Sequence, residues 1–171
     1  RSRPKAGPSI RGCKQALSLF QDLGNSVCFS LANNHIMDYG DQGLQQTLDY
    51  CSKLGFSTVG GGNNLQHATN SIYITIDGVK VGILARCETQ FGIASSQRPG
   101  VAPLDATIYK TIQQLKQETD IVIITLHGGS EMCPWPSPKW QDLLRSFVDA
   151  GANIIHGHHA HIPQGYEDPE W

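Results

Sequence analysis

Three histidines stand within four positions near the end of this 171-residue chain, in the segment Gly157-His158-His159-Ala160-His161. Neutral imidazole is the commonest metal ligand in proteins. In extended backbone, alternate side chains lie on the same side, which favours His159 and His161 as a pair of ligands. The segment therefore predicts a metal site, and the alternative is an exposed histidine-rich turn.

Two further groups of polar residues also follow apolar runs. His127 precedes Gly128-Gly129, which would keep space open beside its ring, and Asn34-His35 is followed by Asp38. Asp38 could orient His35 through a hydrogen bond, a common arrangement for working histidines. Taken singly, each group has an ordinary alternative: a satisfied structural histidine, an asparagine turn and a loop carboxylate.

The elements that must position these residues alternate along the chain. Apolar periodicity and Gly, Asn and Pro punctuation predict helices over 13–23, 41–54 (with Asp41 as N-cap), 105–117 and 139–150. Apolar runs predict strands over 26–31, 56–59, 121–126 and 153–156, and a hairpin of 72–76 with 79–85 around Asp77-Gly78. Residues 86–104 are predicted to be irregular, and the Gly60–Gly62 run to be a mobile turn.

Helices between strands imply crossover connections, and so a mostly parallel α/β sheet covered on both faces with one antiparallel hairpin. Such sheets bind ligands outside the carboxyl ends of their strands. Three of the predicted strands end at the polar groups described above. We therefore expect those groups to meet in one pocket.

Composition excludes several classes of protein. The formal charge of −2 and the lack of a Lys/Arg run give no basis for binding nucleic acid or an anionic membrane surface. No apolar stretch approaches the roughly 20 residues needed to span a bilayer. Five cysteines without a CxxC pair predict neither a disulfide framework nor a zinc–thiolate site.

Several motifs together resemble one family. The segments are Ser30–Gly40, Gly43-Leu44, Thr47-Leu48, Leu54-Gly55, Val59–Gly62, Leu126–Gly129 and Ala150–His161. In this order, over most of residues 13–166, they are similar to bacterial poly-γ-glutamate capsule-synthesis proteins of the CapA/PgsA type. That family is related to calcineurin-like metallophosphoesterases, which implies an α/β fold of the four-layer αββα kind carrying two divalent metals.

The resemblance also implies roles for individual residues. Asn34 and His127 match metal ligands, and His35, with Asp38 beside it, matches the catalytic group that touches the phosphate or the leaving group. The superfamily's Gly-His-x-His motif resembles residues 157–161 with one extra residue. Either His158 or His159 therefore takes the first ligand role, and His161 takes the second.

The superfamily's first carboxylate ligands have no counterpart in residues 1–25. We therefore expect residues 1–171 to be a single CapA-like domain truncated at both ends, lacking the N-terminal strands. A complete two-metal site, with Mn, Fe or Zn as cofactor, is expected only in the full-length protein.

The resemblance implies a role in poly-γ-glutamate capsule biosynthesis or export, through a divalent-metal-dependent hydrolase of the phosphoesterase type. The alternative is a non-catalytic polymer-binding or capsule-assembly protein on the same fold. The implied partners are poly-γ-glutamate or a phosphorylated substrate, together with capsule-synthesis proteins of the membrane, and not nucleic acid. The implied location is the cell envelope.

Overall fold

The computed structural model describes Ser2, residues 7–89 and residues 92–168. The helices are α1 Lys14–Ser18, α2 Gly40–Lys53, α3 Leu65–Thr69, α4 Thr107–Glu118 and α5 Pro138–Ala150, with a 3₁₀ helix over Gln21–Ser26. The strands are β1 Cys28–Ser30, β2 Ser57–Val59, β3 Gly61–Gly62, β4 Ile72–Ile76, β5 Val79–Cys87, β6 Gly100–Val101, β7 Ile121–His127 and β8 Ile154–His158. The expectation of an internal fragment rests partly on Arg1, Arg3–Lys5 and Pro169–Trp171, which lie outside the described residues.

The largest sheet has the strand order β4-β5-β7-β8. Strands β4 and β5 form the predicted antiparallel hairpin, and β5, β7 and β8 run parallel. Asp77 and Gly78 both adopt positive φ, at 50° and 86°, as a type I′ turn requires. The predicted mixed α/β fold with a largely parallel sheet is confirmed.

Helices α4 and α5 cover one face of this sheet. Their apolar side chains pack with those of β5 and β7 in a core that includes Leu84, Ile112, Leu115, Ile124 and Phe147. Alternating burial along β7 places every second side chain in this core, since successive strand residues lie on opposite faces. This core anchors the strands whose ends carry the histidines.

The opposite face of the sheet contacts a second, smaller sheet in which β1 and β2 pair in parallel. Ala32, Val59, Ala85 and Cys87 pack between the two sheets, and α2 covers the far side of the smaller one through Leu44. Gly60 lies close to both sheets. A Cβ there would lie 2.6 Å from that of Ala32 and 2.7 Å from that of Ala85.

The N-terminal helix is shorter than predicted. The periodic stretch 13–23 forms a helix only to Ser18, followed by the 3₁₀ helix. Leu19 and Leu23 are 78% and 64% exposed. Short helices are stable mainly through packing of an apolar face, and this face packs poorly in the described structure.

Helix α2 begins one residue earlier than predicted, and Asp41 is not its N-cap. Tyr39 is the N-cap, and its side chain makes no capping hydrogen bond. Asp41 lies in the first turn, where a carboxylate interacts favourably with the helix dipole. The last strand was predicted to end at His156 and instead reaches His158.

The predicted mobile turn at Gly60–Gly62 is wrong. Gly61 and Gly62 are buried and pair with β6, which itself interrupts the stretch predicted to be irregular. A Cβ on Gly62 would lie 2.5 Å from the backbone nitrogen of Ala68, so glycine is what lets α3 pack here. No helix in the described part of the chain is long and apolar enough to cross a membrane.

Candidate metal centre

The predicted polar groups meet at the carboxyl ends of β7 and β8. His127 ends β7 and is paired in register with His158, which ends β8. From the smaller sheet, the turn after β1 brings Asn34 to them. Its Oδ1 lies 3.0 Å from His127 Nε2, although the two residues are 93 positions apart.

These three side chains form a chain of hydrogen bonds. Asn34 Oδ1 can only accept a hydrogen bond, so His127 Nε2 carries the proton and donates this bond. His127 Nδ1 is then the unprotonated nitrogen and accepts from His158 Nδ1, 2.8 Å away. His158 Nε2 is therefore left with a lone pair, and it is buried without a partner among the described residues.

Burial keeps both imidazoles neutral. Desolvation, with smaller contributions from the neighbouring His158 and His159, lowers the pKa of His127 to about 3. Desolvation, with His156 and His159 nearby, lowers the pKa of His158 to about 4. Neutral imidazole is the form that binds metals, so both rings are in a ligand state at physiological pH.

The segment after β8 turns away from extended geometry. His159 and His161 adopt positive φ, at 105° and 59°, so the expectation that an extended chain aligns them is wrong. Their ring centroids are nevertheless only 5.7 Å apart. An irregular backbone, and not an extended strand, brings the two rings together.

Glu131 joins the two rings of this segment. Its Oε1 lies 3.3 Å from His159 Nε2 and 4.0 Å from His161 Nε2. One donor atom from each of the three residues lies within 4.8 Å of the others, which is close enough to share a metal ion. The backbone fixes this approach, because Met132 N–H donates to the Ala160 carbonyl at 2.8 Å.

Sequence reasoning missed Glu131. The available signal was a carboxylate four residues after His127, in the loop that leaves the same strand end. Gly128 and Gly129 do not leave open space beside His127, contrary to the expectation from the sequence. Glu88 fills the volume next to Gly128, and its Oε2 accepts from Gly129 N–H at 3.0 Å.

His35 is held by Asp38 as predicted. His35 Nδ1 lies 2.8 Å from Asp38 Oδ2, and Asp38 is 2% exposed. Asp38 Oδ2 also accepts from Ile10 N–H at 2.8 Å. The turn itself depends on Asn33, whose Oδ1 accepts from the backbone N–H groups of His35 and Ile36, each at 2.9 Å.

Comparison with known proteins assigns the family. The family described as "Bacterial capsule synthesis protein PGA_cap" matches residues 2–168. The chain belongs to this family. It is 36% identical over 158 residues to the PGA biosynthesis protein CapA of Bacillus subtilis, covering 90% of this chain and 41% of that protein. It is 33% identical over 161 residues to the capsule biosynthesis protein CapA of Bacillus anthracis, covering 90% and 39%.

A further relative extends the comparison. It is 34% identical over 155 residues to a "Probable polyglutamine synthesis accessory protein" of Mycobacterium tuberculosis, covering 82% of this chain and 40% of that one. The chain thus spans about two fifths of the length of these relatives. Among solved structures, the NAD nucleotidase of Haemophilus influenzae superimposes with a TM-score of 0.55 at 19% identity, over 92% of this chain and 27% of that one. That likeness supports the α/β fold alone.

In this member of the family, two groups of donors lie side by side. Asn34, His127 and His158 form one group, and Glu131, His159 and His161 form the other. The rings of His127 and His159, with centroids 4.5 Å apart, connect them. Imidazole nitrogens and amide or carboxylate oxygens suit Mn, Fe or Zn better than Ca, which prefers oxygen ligands alone.

Proposed function

We propose that this chain belongs to a poly-γ-glutamate capsule biosynthesis or export protein and acts as a divalent-metal-dependent hydrolase of the phosphoesterase type. The finer fold, a four-layer αββα metallophosphoesterase-like sandwich, is part of this proposal. The observation that carries it is the approach of Asn34 Oδ1 to His127 Nε2 at 3.0 Å, beside the group Glu131, His159 and His161.

The donor set fits a metal ion. His158 Nε2 and His159 Nδ1 are buried and have no hydrogen-bond partner among the described residues. An unpartnered buried polar atom is costly, and a bound cation would satisfy such lone pairs. Asn34, His127, His159 and His161 would hold the metal, with Glu131 and His158 as the further donors.

A bound divalent ion supplies Lewis acidity toward a phosphoryl oxygen and toward water. The chain's own residues then handle the proton. Asp38 holds His35 at Nδ1, so Nε2 is the nitrogen from which His35 donates a proton to the leaving group as general acid. Asp38 is the positioning residue, since it is buried and acts through His35.

The names of the relatives support the proposed biological role. Two are described as CapA proteins of PGA or capsule biosynthesis, and a third as a polyglutamine synthesis accessory protein. We extend to this chain a role at the cell envelope, with poly-γ-glutamate or a phosphorylated substrate as ligand and membrane-bound capsule-synthesis proteins as partners.

One observation favours a second candidate, a non-catalytic polymer-binding or capsule-assembly role on the same fold. A two-metal site usually needs a carboxylate that bridges ions about 3.5–4 Å apart. Among the described residues, Glu131 is the carboxylate that joins the histidine group, and it contacts the His159–His161 side. With only one metal held, binding could persist without hydrolysis.

The test is the metal content and phosphodiesterase activity of the protein, with bis(p-nitrophenyl) phosphate as substrate. His127→Ala and His161→Ala should each remove bound Mn, Fe or Zn together with the activity. His67→Ala, at an exposed histidine of α3, is the matched control and should retain both.

Two outcomes would contradict the hydrolase. A folded protein that binds no metal, and responds to neither substitution, would leave the assembly role. Metal that is bound and lost on substitution, without activity in the intact protein, would also favour that role.

A further inference from the structure

The loop that leaves β7 carries Glu131, and the path of the loop decides where that carboxylate lies. At the start of the loop, Gly128 N–H donates to the His158 carbonyl at 3.1 Å. At its end, Met132 N–H donates to the Ala160 carbonyl at 2.8 Å. Both bonds join the loop to the end of β8 and to the residues that follow that strand.

A further contact to this loop comes from the neighbouring strand β5. Glu88 directly follows β5, and its backbone N–H donates to the His127 carbonyl at 2.9 Å. The Glu88 side chain extends to the loop, where its Oε2 accepts from Gly129 N–H at 3.0 Å. This hydrogen bond holds the loop between its two ends, two residues before Glu131.

Two glycines shape the loop around the Glu88 side chain. A Cβ on Gly128 would lie 2.6 Å from Glu88 Cγ and 2.8 Å from both Glu88 Cδ and Oε2. Gly129 has a φ of 88°, in the left-handed region that residues with a side chain rarely adopt. The loop therefore has glycine where it contacts Glu88 and where its backbone donates to that carboxylate.

Glu88 itself is outside the donor group that the loop helps to form. Among the described residues, the donor atoms that lie within 4.8 Å of one another belong to Glu131, His159 and His161. Glu88 Oε2 already accepts from the backbone of Gly129. The contact between Glu88 and this donor group therefore runs through the backbone of the loop.

We propose that Glu88 is a positioning residue, which holds the 128–132 loop so that Glu131 lies within reach of a metal ion bound by His159 and His161. This inference rests on the metal centre of the proposed function. A ligand that is already held in place loses less conformational freedom when the ion binds. Groups that orient metal ligands in this way typically raise the metal affinity by about 10–100-fold.

The test is titration of the protein with Co²⁺, measured by visible absorption. Glu88→Ala should weaken Co²⁺ binding about tenfold, because the loop no longer holds Glu131 near the histidines. Glu88→Gln should bind within about twofold of the parent protein, because its amide oxygen still accepts from Gly129 N–H. Glu118→Ala, at an exposed position at the end of α4, is the matched control and should bind like the parent protein.

A double-mutant cycle shows whether Glu88 acts through Glu131. Glu131→Ala removes the ligand, so adding Glu88→Ala to that variant should change the Co²⁺ affinity by less than about twofold. The same loss of affinity in both backgrounds would overturn the proposal, because Glu88 would then act on another part of the site. Parental affinity in Glu88→Ala would overturn it too, as would a Glu88→Gln protein that binds as weakly as Glu88→Ala.

Amide hydrogen exchange of the metal-free protein, observed by NMR, gives a readout that requires neither metal nor activity. The Met132 amide should exchange faster in Glu88→Ala, because its bond to the Ala160 carbonyl opens more often, and at the parental rate in Glu88→Gln. An unchanged rate in Glu88→Ala would overturn the proposal and leave the hydrolase intact. A parent protein that binds Co²⁺ without hydrolysing a phosphodiester would contradict the hydrolase and leave this inference standing, whereas one that binds no Co²⁺ would contradict both.

Discussion

The two histidine-bearing segments of the site differ in how their polar atoms are satisfied. In the turn 33–38, Asn33 Oδ1 accepts two backbone N–H groups and His35 Nδ1 is paired with the buried Asp38. In the segment 158–161, His158 Nε2 and His159 Nδ1 are buried without partners in the described structure. His159 and His161 also adopt positive φ, which is uncommon outside glycine.

The difference indicates that the two segments have different roles in the site. The first segment is completed by the protein's own hydrogen bonds, so it can hold a catalytic side chain in one orientation without help from a ligand. The second stores unsatisfied lone pairs and backbone strain, features that persist only where surrounding structure or function requires them. A metal ion would satisfy the second segment, and in the first it would involve only Asn34, leaving the hydrogen bonds of Asn33 and the His35–Asp38 pair in place.

The largest effect that separates the segments is expected for His35→Ala. Loss of a general acid typically reduces the rate about 10²–10⁴-fold, and the metal content should not change because His35 is not one of the proposed ligands. Phosphodiesterase assays and metal analysis on the same preparation measure both quantities. Loss of metal with the activity would make His35 a ligand, and unchanged activity would exclude it as the acid.

A smaller effect is expected in the pH dependence of stability of the metal-free protein. The pKa values of His127 and His158, about 3 and about 4, lie below the ordinary 6.5, so the unfolded chain binds more protons than the folded protein between the ordinary value and these lowered ones. The free energy of unfolding should be at its maximum above about pH 7. It should decrease by a few kcal/mol in total as the pH falls toward 4.

Urea unfolding after chelation, at a series of pH values, measures this slope. His127→Gln should flatten it, since a neutral amide replaces the buried imidazole, and the exposed His67→Ala should not. Stability that rises as the pH falls from 7 to 4 would contradict the neutral, buried state of these rings.

The smallest effect concerns the turn that needs no ligand. Asn33→Ala removes the acceptor of two backbone N–H groups and should lower the free energy of unfolding by about 1–2 kcal/mol, with or without metal. Asn63→Ala, at an exposed position, is the matched control. A destabilisation that appears only when metal is present would show that the stability of the turn depends on the metal.

Local patterns predicted the parts of the molecule that local chemistry determines. Asp77-Gly78 predicted the hairpin because both residues tolerate positive φ, and the β-branched run before His127 predicted a buried parallel strand. Because parallel strands end at one edge of a sheet, the order of strands and polar residues was enough to predict that Asn34, His127 and the 158–161 segment meet.

Features that depend on tertiary packing could not be predicted. The approach of Glu131 to His159 depends on the path of a loop, and no residue pattern fixes that path. Gly61 and Gly62 resemble a flexible turn in sequence, yet they are buried because Leu31 packs against Gly61 and α3 packs against Gly62. Apolar periodicity over 13–23 predicted a longer helix, because sequence does not show that Leu19 and Leu23 stay exposed.

The most direct test of a metal centre is anomalous diffraction at the zinc edge, from crystals of the protein grown with Zn²⁺. The account predicts a peak about 2.0–2.1 Å from His127 Nε2, where the ion replaces the proton shared with Asn34 Oδ1, and its loss in His127→Ala. Well-ordered crystals with no peak among Asn34, Glu131, His127, His159 and His161 would contradict it.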